Sequence, residues 1–132
     1  FPDTDFPYCR LADVDLMLAE AVVRGGTGSS TSEAIGYVNE LRRRAYGNNS
    51  GDVSSLNLNF LIDERSRELY WEGTRRSDLI RFNMYTGSAY LWPMKGGQPS
   101  GVSIDTRYNL FPIPVADLMA NPNLVQNSGY QN

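Results

Sequence analysis

The sequence predicts a mainly α-helical fold: helical hairpins joined by long irregular loops. Three observations predict it. Two apolar stripes of helical period flank a short glycine-bearing turn, a charged helical run spans Ile62 to Phe82, and the remainder is irregular and rich in glycine, proline and aromatic residues. At 132 residues the chain fits one domain, long enough to bury most of its apolar surface.

The first helix is expected from Cys9 to Arg24, with Leu11, Val14, Leu16, Met17, Leu18, Ala19, Ala21, Val22 and Val23 as a broad apolar stripe. Asp13, Glu20 and Arg24 are set off from that stripe, and Gly25-Gly26 stops the helix. After the polar turn Thr27-Gly28-Ser29, Ser30 and Glu33 have capping-box spacing. Ala34, Ile35, Val38, Leu41 and Ala45 then form a second stripe that ends at Gly47. Two helices joined this way make an antiparallel hairpin, the unit of tetratricopeptide-type arrays. Asn48 to Asp52 is a loop whose oxygen-bearing residues lack calcium-loop spacing, so no metal is expected there. A third helix is expected from about Asn57 to Glu72, with Phe60, Leu61, Leu69 and Trp71 in the core and Gly73 as its stop. Ser77 is placed to cap a short fourth helix carrying Leu79, Ile80 and Phe82. From Met84 to Asn109 the chain is irregular, with a short strand expected near Tyr108 to Phe111. Extended chain at Leu110 to Pro114 leads into a turn of helix at Val115 to Ala120.

Composition narrows the chemistry. Net charge is −3, and one lysine, Lys95, stands against eleven arginines set among carboxylates. That balance lacks the basic surplus a nucleic-acid binder needs, and it favours planar, bidentate Arg–carboxylate pairing. Histidine is absent, which removes Ser-His-Asp and Cys-His catalysis and most zinc sites. The single cysteine, Cys9, reads as a small core residue with no cationic helix N-terminus to activate it. No apolar run approaches the roughly 18 residues of a membrane span. The opening Phe1-Pro2-Asp3-Thr4-Asp5 has no initiator Met, signal peptide or lipid-attachment box, and the chain is expected to be a fragment of a longer protein. Gly25 to Gly28 completes neither the dinucleotide nor the P-loop pattern, so no phosphate cofactor is expected.

Glu64, Glu68 and Glu72, four apart, would line one helix face. Carboxyls that cleave a glycoside flank the bond from opposite sides, which two side chains on one helix face do badly. Arg65, Arg67, Arg75, Arg76 and Arg81 crowd the same run and would depress carboxyl pKa values, the wrong direction for a general acid. Glu64, Arg65, Arg67, Glu68, Glu72, Arg75, Asp78 and Arg81 are therefore read as an ion-pair staple, with no catalytic residue among them; Asp78 also favours its helix N-terminus. The better functional candidates are Tyr85, Tyr90, Trp92 and Tyr108. Sugar rings lay apolar C–H faces on Trp or Tyr, with Asn83, Gln98 or Asp105 to take hydroxyls. Two roles are open to these rings: ligand contact, or pinning a loop to the core.

Four blocks carry a resemblance to a known family. Arg10-Leu11-Ala12-Asp13-Val14 with Leu16 to Ala21 is similar to "RxADxxLMxAEA", and Ala34, Tyr37-Val38-Asn39, Leu41-Arg42 and Arg44-Ala45 to "AxxYINxVRxRA". Ile62 to Phe82 is similar to "IxxERxxELxxEGxRxxDLxR", and Phe111 to Pro114, Asn121-Pro122, Leu124, Gln126-Asn127 and Gly129-Tyr130 to "FPIPxxExxxNPxLxQNPGY". In order and across nearly the whole chain, these resemble the C-terminal portion of SusD/RagB-like proteins, surface glycan-binding lipoproteins of Bacteroidetes outer membranes. Asp15 in place of an apolar residue, Asn83 in place of Gly and Ser128 in place of Pro depart from the pattern. The resemblance implies a SusD-like C-terminal region over residues 1–132, helical with tetratricopeptide-like hairpins and long loops. It implies a non-enzymatic role: holding a polysaccharide or oligosaccharide at the outer-membrane surface beside a SusC-like TonB-dependent transporter, with the anchor and much of the glycan site in the remainder of the parent chain. The alternative is a helical-hairpin module that docks on a transporter without sugar affinity of its own. The family motifs are architectural, so they transfer no glycan-binding residue.

Overall fold

The computed structural model describes residues 8–131, and the chain divides into two compact units, Phe1–Arg75 and Arg76–Asn132. The described residues are mainly helical, with five α-helices and, in place of a sheet, one isolated antiparallel bridge between Gly87 and Ile104.

In the first unit, α1 (Leu11–Val23) packs against α2 (Thr31–Tyr46) and α3 (Leu58–Glu68). The core they share is Ala12, Leu16 and Ala19 from α1, Ala34, Val38 and Leu41 from α2, and Leu61 from α3. α2 starts where the capping box predicts. The Glu33 amide donates to Ser30 Oγ at 3.1 Å and the Ser30 amide donates to the Glu33 carboxylate at 2.9 Å. It ends at Gly47 in the left-handed region (φ 71°), which a glycine enters without steric cost. α1 closes by a different device. The Gly26 amide reaches back to Ala21 O at 2.8 Å, and a Cβ on Gly26 would lie 2.9 Å from that oxygen. Asn39 then fixes the exit of the hairpin: its amide donates to Val53 O and accepts from Val53 N, at 2.9 and 2.8 Å.

The α1 stripe is narrower than its composition implies. Leu11, Val14 and Met17 are exposed, while Asp15 and Glu20 are buried. Thirteen residues at a 3.6-residue period offer one buried face, and the positions that meet α2 and α3 are Ala12, Leu16 and Ala19. Cys9 lies outside that contact and is exposed rather than part of the core. Burial, and then the nearby Glu40, push the Asp15 carboxyl above its usual range. A raised native pKa means the native state binds the proton more tightly, so the contribution is fully present below the unfolded value near 3.8 and is lost as pH rises through the native value. Asp15→Asn is therefore expected to raise the melting temperature at pH 7 and to leave it unchanged near pH 3; a lower midpoint at pH 7 would contradict this.

α3 (Leu58–Glu68) starts close to the expected Asn57 and is capped by Asn57, whose side chain accepts the Phe60 amide at 2.9 Å. It stops at Glu68, a turn earlier than predicted, and an Arg10 N–H meets the Glu68 carbonyl that the helix leaves free. The chain then turns through Trp71 in the left-handed region (φ 68°) and Gly73 (φ 76°). Trp71 consequently faces outward at 86% exposure instead of joining the core, with its ring 6.0 Å from that of Tyr70.

The boundary between the units falls inside α4 (Arg75–Arg81). This helix begins at Arg75, so Ser77 sits within it rather than capping it. In the second unit, the strand expected at Tyr108 to Phe111 is replaced by a 3-10 turn at Thr106–Asn109, capped by Asp105. α5 (Val115–Ala120) follows. The Phe111-to-Pro114 segment is held by the chain end. Ile113, flanked by two prolines that cannot donate, donates its amide to Gln126 Oε1 at 2.8 Å, and its carbonyl accepts from Gln126 Nε2 at 2.9 Å. Asn127 adds a bond to Phe111 O at 2.8 Å. The closing motif works as a clamp.

Candidate functional site

The acids of the charged run meet arginines, but chiefly from elsewhere than the run itself. Glu64 Oε2 accepts from Arg42 of α2 at 2.6 Å and from Arg67 at 2.6 Å, and its side chain is 7% exposed. Glu68 accepts from both Arg10 and Arg44. Glu72, past the helix end, accepts Arg10 Nε at 2.9 Å and a second Arg10 nitrogen at 2.7 Å. This pairing with Arg10 holds the Glu72 carboxyl below its usual range. Buried Arg65 pairs with Asp13 at 2.8 Å. Arg75 donates to a carbonyl, Ile62 O at 2.9 Å, and Asp78 pairs with Arg81 at 2.7 Å. Arg76 does not join the acids; its guanidinium lies over the Tyr85 and Phe111 rings, 5.1 and 4.1 Å from their centroids. Arg10, Arg42 and Arg44 were legible only as positions inside the first two sequence motifs, because nothing local ties them to α3.

The aromatic candidates fall into two places within the second unit. Tyr85, Tyr90 and Trp92 come together. The Tyr85 and Trp92 rings stack at 6.4 Å with an interplanar angle of 25°, and Tyr90 and Trp92 tilt at 5.8 Å. All three are partly exposed. Tyr108 lies in the 3-10 turn beside Arg107, whose guanidinium is 4.9 Å from its ring centroid.

The residue that organises the first group was not among the sequence candidates. Lys95 is 1% exposed, and its ammonium donates to Gly87 O at 2.8 Å and Tyr90 O at 2.6 Å while lying 4.6 Å from the Trp92 ring centroid. Burial lowers its pKa. The Val102 amide closes onto Lys95 O at 3.1 Å, and Gly101 (φ 74°) packs so closely on the Trp92 backbone that a Cβ would collide with it. The irregular segment is thus a loop wound around a buried ammonium, with its rings on the outside. The signal was available: the chain's one lysine sits among glycines, where no carboxylate neighbours it.

Partly exposed rings whose own hydroxyls lie at their edges suit a ligand with apolar C–H faces. Among the described residues no cluster of His, Cys, Asp and Glu is disposed to hold a metal. No helix of the described residues is long and apolar enough to cross a membrane.

A profile described as the SusD family matches residues 2–130. The chain is 48% identical over 131 residues to the starch-binding protein SusD of Bacteroides thetaiotaomicron, covering 99% of this chain and 22% of that protein. It is 36% identical to the SusD-like protein P2 of Formosa agariphila, covering 96% of this chain and 26% of that one. Among solved structures, surface glycan-binding protein A from Bacteroides uniformis superposes with a TM-score of 0.69 at 31% identity, over 91% of this chain and 27% of that one. The chain spans about a quarter of the length of the relatives it matches.

Proposed function

The chain belongs to the SusD family, and on that premise we propose that it serves non-catalytic glycan capture for nutrient uptake at the outer-membrane surface. The observation that carries this reading is the Tyr85–Tyr90–Trp92 group held over Lys95, a set of rings fixed in place before any ligand arrives. The partner is a polysaccharide or its oligomers, and the starch-binding relative puts α-linked glucans first among those to try. In this reading the chain works as part of a longer lipoprotein beside a SusC-like TonB-dependent transporter. The acid–arginine lattice of the first unit is proposed as architecture. Glu64, Glu68 and Glu72 are each bonded to a guanidinium, which commits their oxygens to holding the helices together.

Calorimetry of the natural protein carrying this chain, against a panel of soluble polysaccharides, tests the proposal. Trp92→Ala is expected to weaken the bound glycan by about tenfold, with the melting temperature nearly kept. Undiminished affinity would remove Trp92 from the site, and silence across the panel would count against glycan capture itself. A second reading, docking on a transporter without sugar affinity, draws on the exposed Leu11, Val14 and Met17 of α1. It predicts co-purification with the transporter that is lost on Met17→Glu.

A further inference from the structure

We propose that the second unit holds a separate sugar site, a cavity that takes one neutral pyranose unit. The inference rests on the glycan-capture reading and extends it to a second place in this unit, outside the Tyr85–Tyr90–Trp92 group. The cavity, open to solvent, measures about 380 Å³ and is lined by Asp105, Thr106, Arg107, Asn109, Leu110, Ser128 and Gly129. That volume lies at the low end for small-molecule sites, which suits a single sugar unit rather than a run of them.

The lining mixes hydrogen-bond donors with acceptors. Asp105 accepts, Arg107 donates, Asn109 can do both, and the Thr106 and Ser128 hydroxyls turn to suit. Each hydroxyl of a pyranose both gives and takes a hydrogen bond, so a mixed lining fits it. An anion is served less well, because the Asp105 carboxylate lies in the same wall.

The walls are held independently of any ligand. Asp105 Oδ1 accepts the Arg107 amide at 2.8 Å, which fixes the turn. The Arg107 guanidinium donates to Gly129 O at 2.9 Å and to the Tyr108 hydroxyl at 3.1 Å, and it lies 5.8 Å from the Tyr130 ring centroid. The Tyr130 hydroxyl donates onward to Leu110 O at 2.8 Å. The turn and the chain end are thereby tied across the cavity.

One atom is left over. Asn109 Oδ1 is buried with no hydrogen-bond partner among the described residues. Native structures rarely leave such an acceptor unmet; Asn109 lines the cavity, and a turn of its side-chain amide toward a bound sugar hydroxyl would give the oxygen its donor.

The test is a titration of the ¹⁵N-labelled natural protein with methyl α-glucoside and methyl α-mannoside, with methyl glucuronide as the anionic counterpart. Saturable shifts are expected at the amides of residues 106–109 and 128–129 for a neutral glycoside, and they should persist in Trp92→Ala. Asn109→Leu should weaken that binding by about tenfold, the size of one lost hydrogen bond, without lowering the melting temperature, because its acceptor bonds nothing in the free protein. Ser128→Ala, at an exposed position, should weaken it in the same direction. Binding unchanged in both variants, or tighter binding of the glucuronide, would overturn the proposal. Ring-group shifts without cavity shifts would sink this site alone. Silence at both places, and toward polysaccharides, would sink the glycan reading with it.

Discussion

Replacing Glu64 with alanine is expected to destabilise the first unit by about 3–5 kcal/mol, the scale for removing one partner of a buried ion pair. The partner left behind decides the size. Arg42 keeps only 12% of its side chain exposed, between the rings of Tyr46 and Phe60, with centroids 5.3 and 5.5 Å away. Its bond to Gly51 O would survive, but its charge would lose the carboxylate it pairs with among the described residues. Glu64 itself is deleted from a place where water cannot easily follow. Arg67→Ala is the internal control. That arginine contacts the same carboxylate but is 56% exposed, so its loss should cost under about 1 kcal/mol. Urea denaturation of the two variants checks the pair; equal, small losses would mean that Arg42 escapes to solvent and that the lattice is a surface feature.

Lys95→Met should cost the second unit about 2–3 kcal/mol and loosen the aromatic loop. Methionine roughly keeps the length of the side chain but leaves Gly87 O and Tyr90 O without their donor. Relief of the burial that disfavours the ammonium offsets part of that loss. The sign of the pH dependence separates the two effects. Because burial lowers the native pKa, the native state releases its proton before the unfolded chain does, and stability rises with pH between the native value and the unfolded value near 10.5. The wild type should therefore gain stability relative to Lys95→Met across that alkaline window, and the gap should be flat below it. The same variant should be cut faster by chymotrypsin at Tyr90, Leu91 or Trp92. Parallel alkaline curves for the two proteins would show that the ammonium is solvated in solution.

Some of this was legible from residues alone. The capping box at Ser30 and Glu33 and the stop at Gly47 act over at most four residues, and each lies where its sequence signal puts it. The end of α3 was not legible. The carbonyl at its stop is met by Arg10, 58 residues upstream. Trp71 shows the same failure from the other side. Helical spacing assigns it to the core, but once α3 stops at Glu68 the chain turns and that spacing no longer applies. The candidate rings divide likewise. Tyr85, Tyr90 and Trp92 are close in sequence and meet in space, whereas Tyr108 belongs to a separate turn.

The order of residues alone determined the helical class, the hairpin, the absence of histidine chemistry and the family motifs, because period, caps and composition are local properties of the chain. Only the tertiary structure decided which arginine meets which acid, that Lys95 is the post of the aromatic loop, and that Asn109 is left with a buried acceptor. Those outcomes depend on burial and on partners distant along the chain, since a charge or a carbonyl finds its counterpart by proximity in space, which no local pattern encodes.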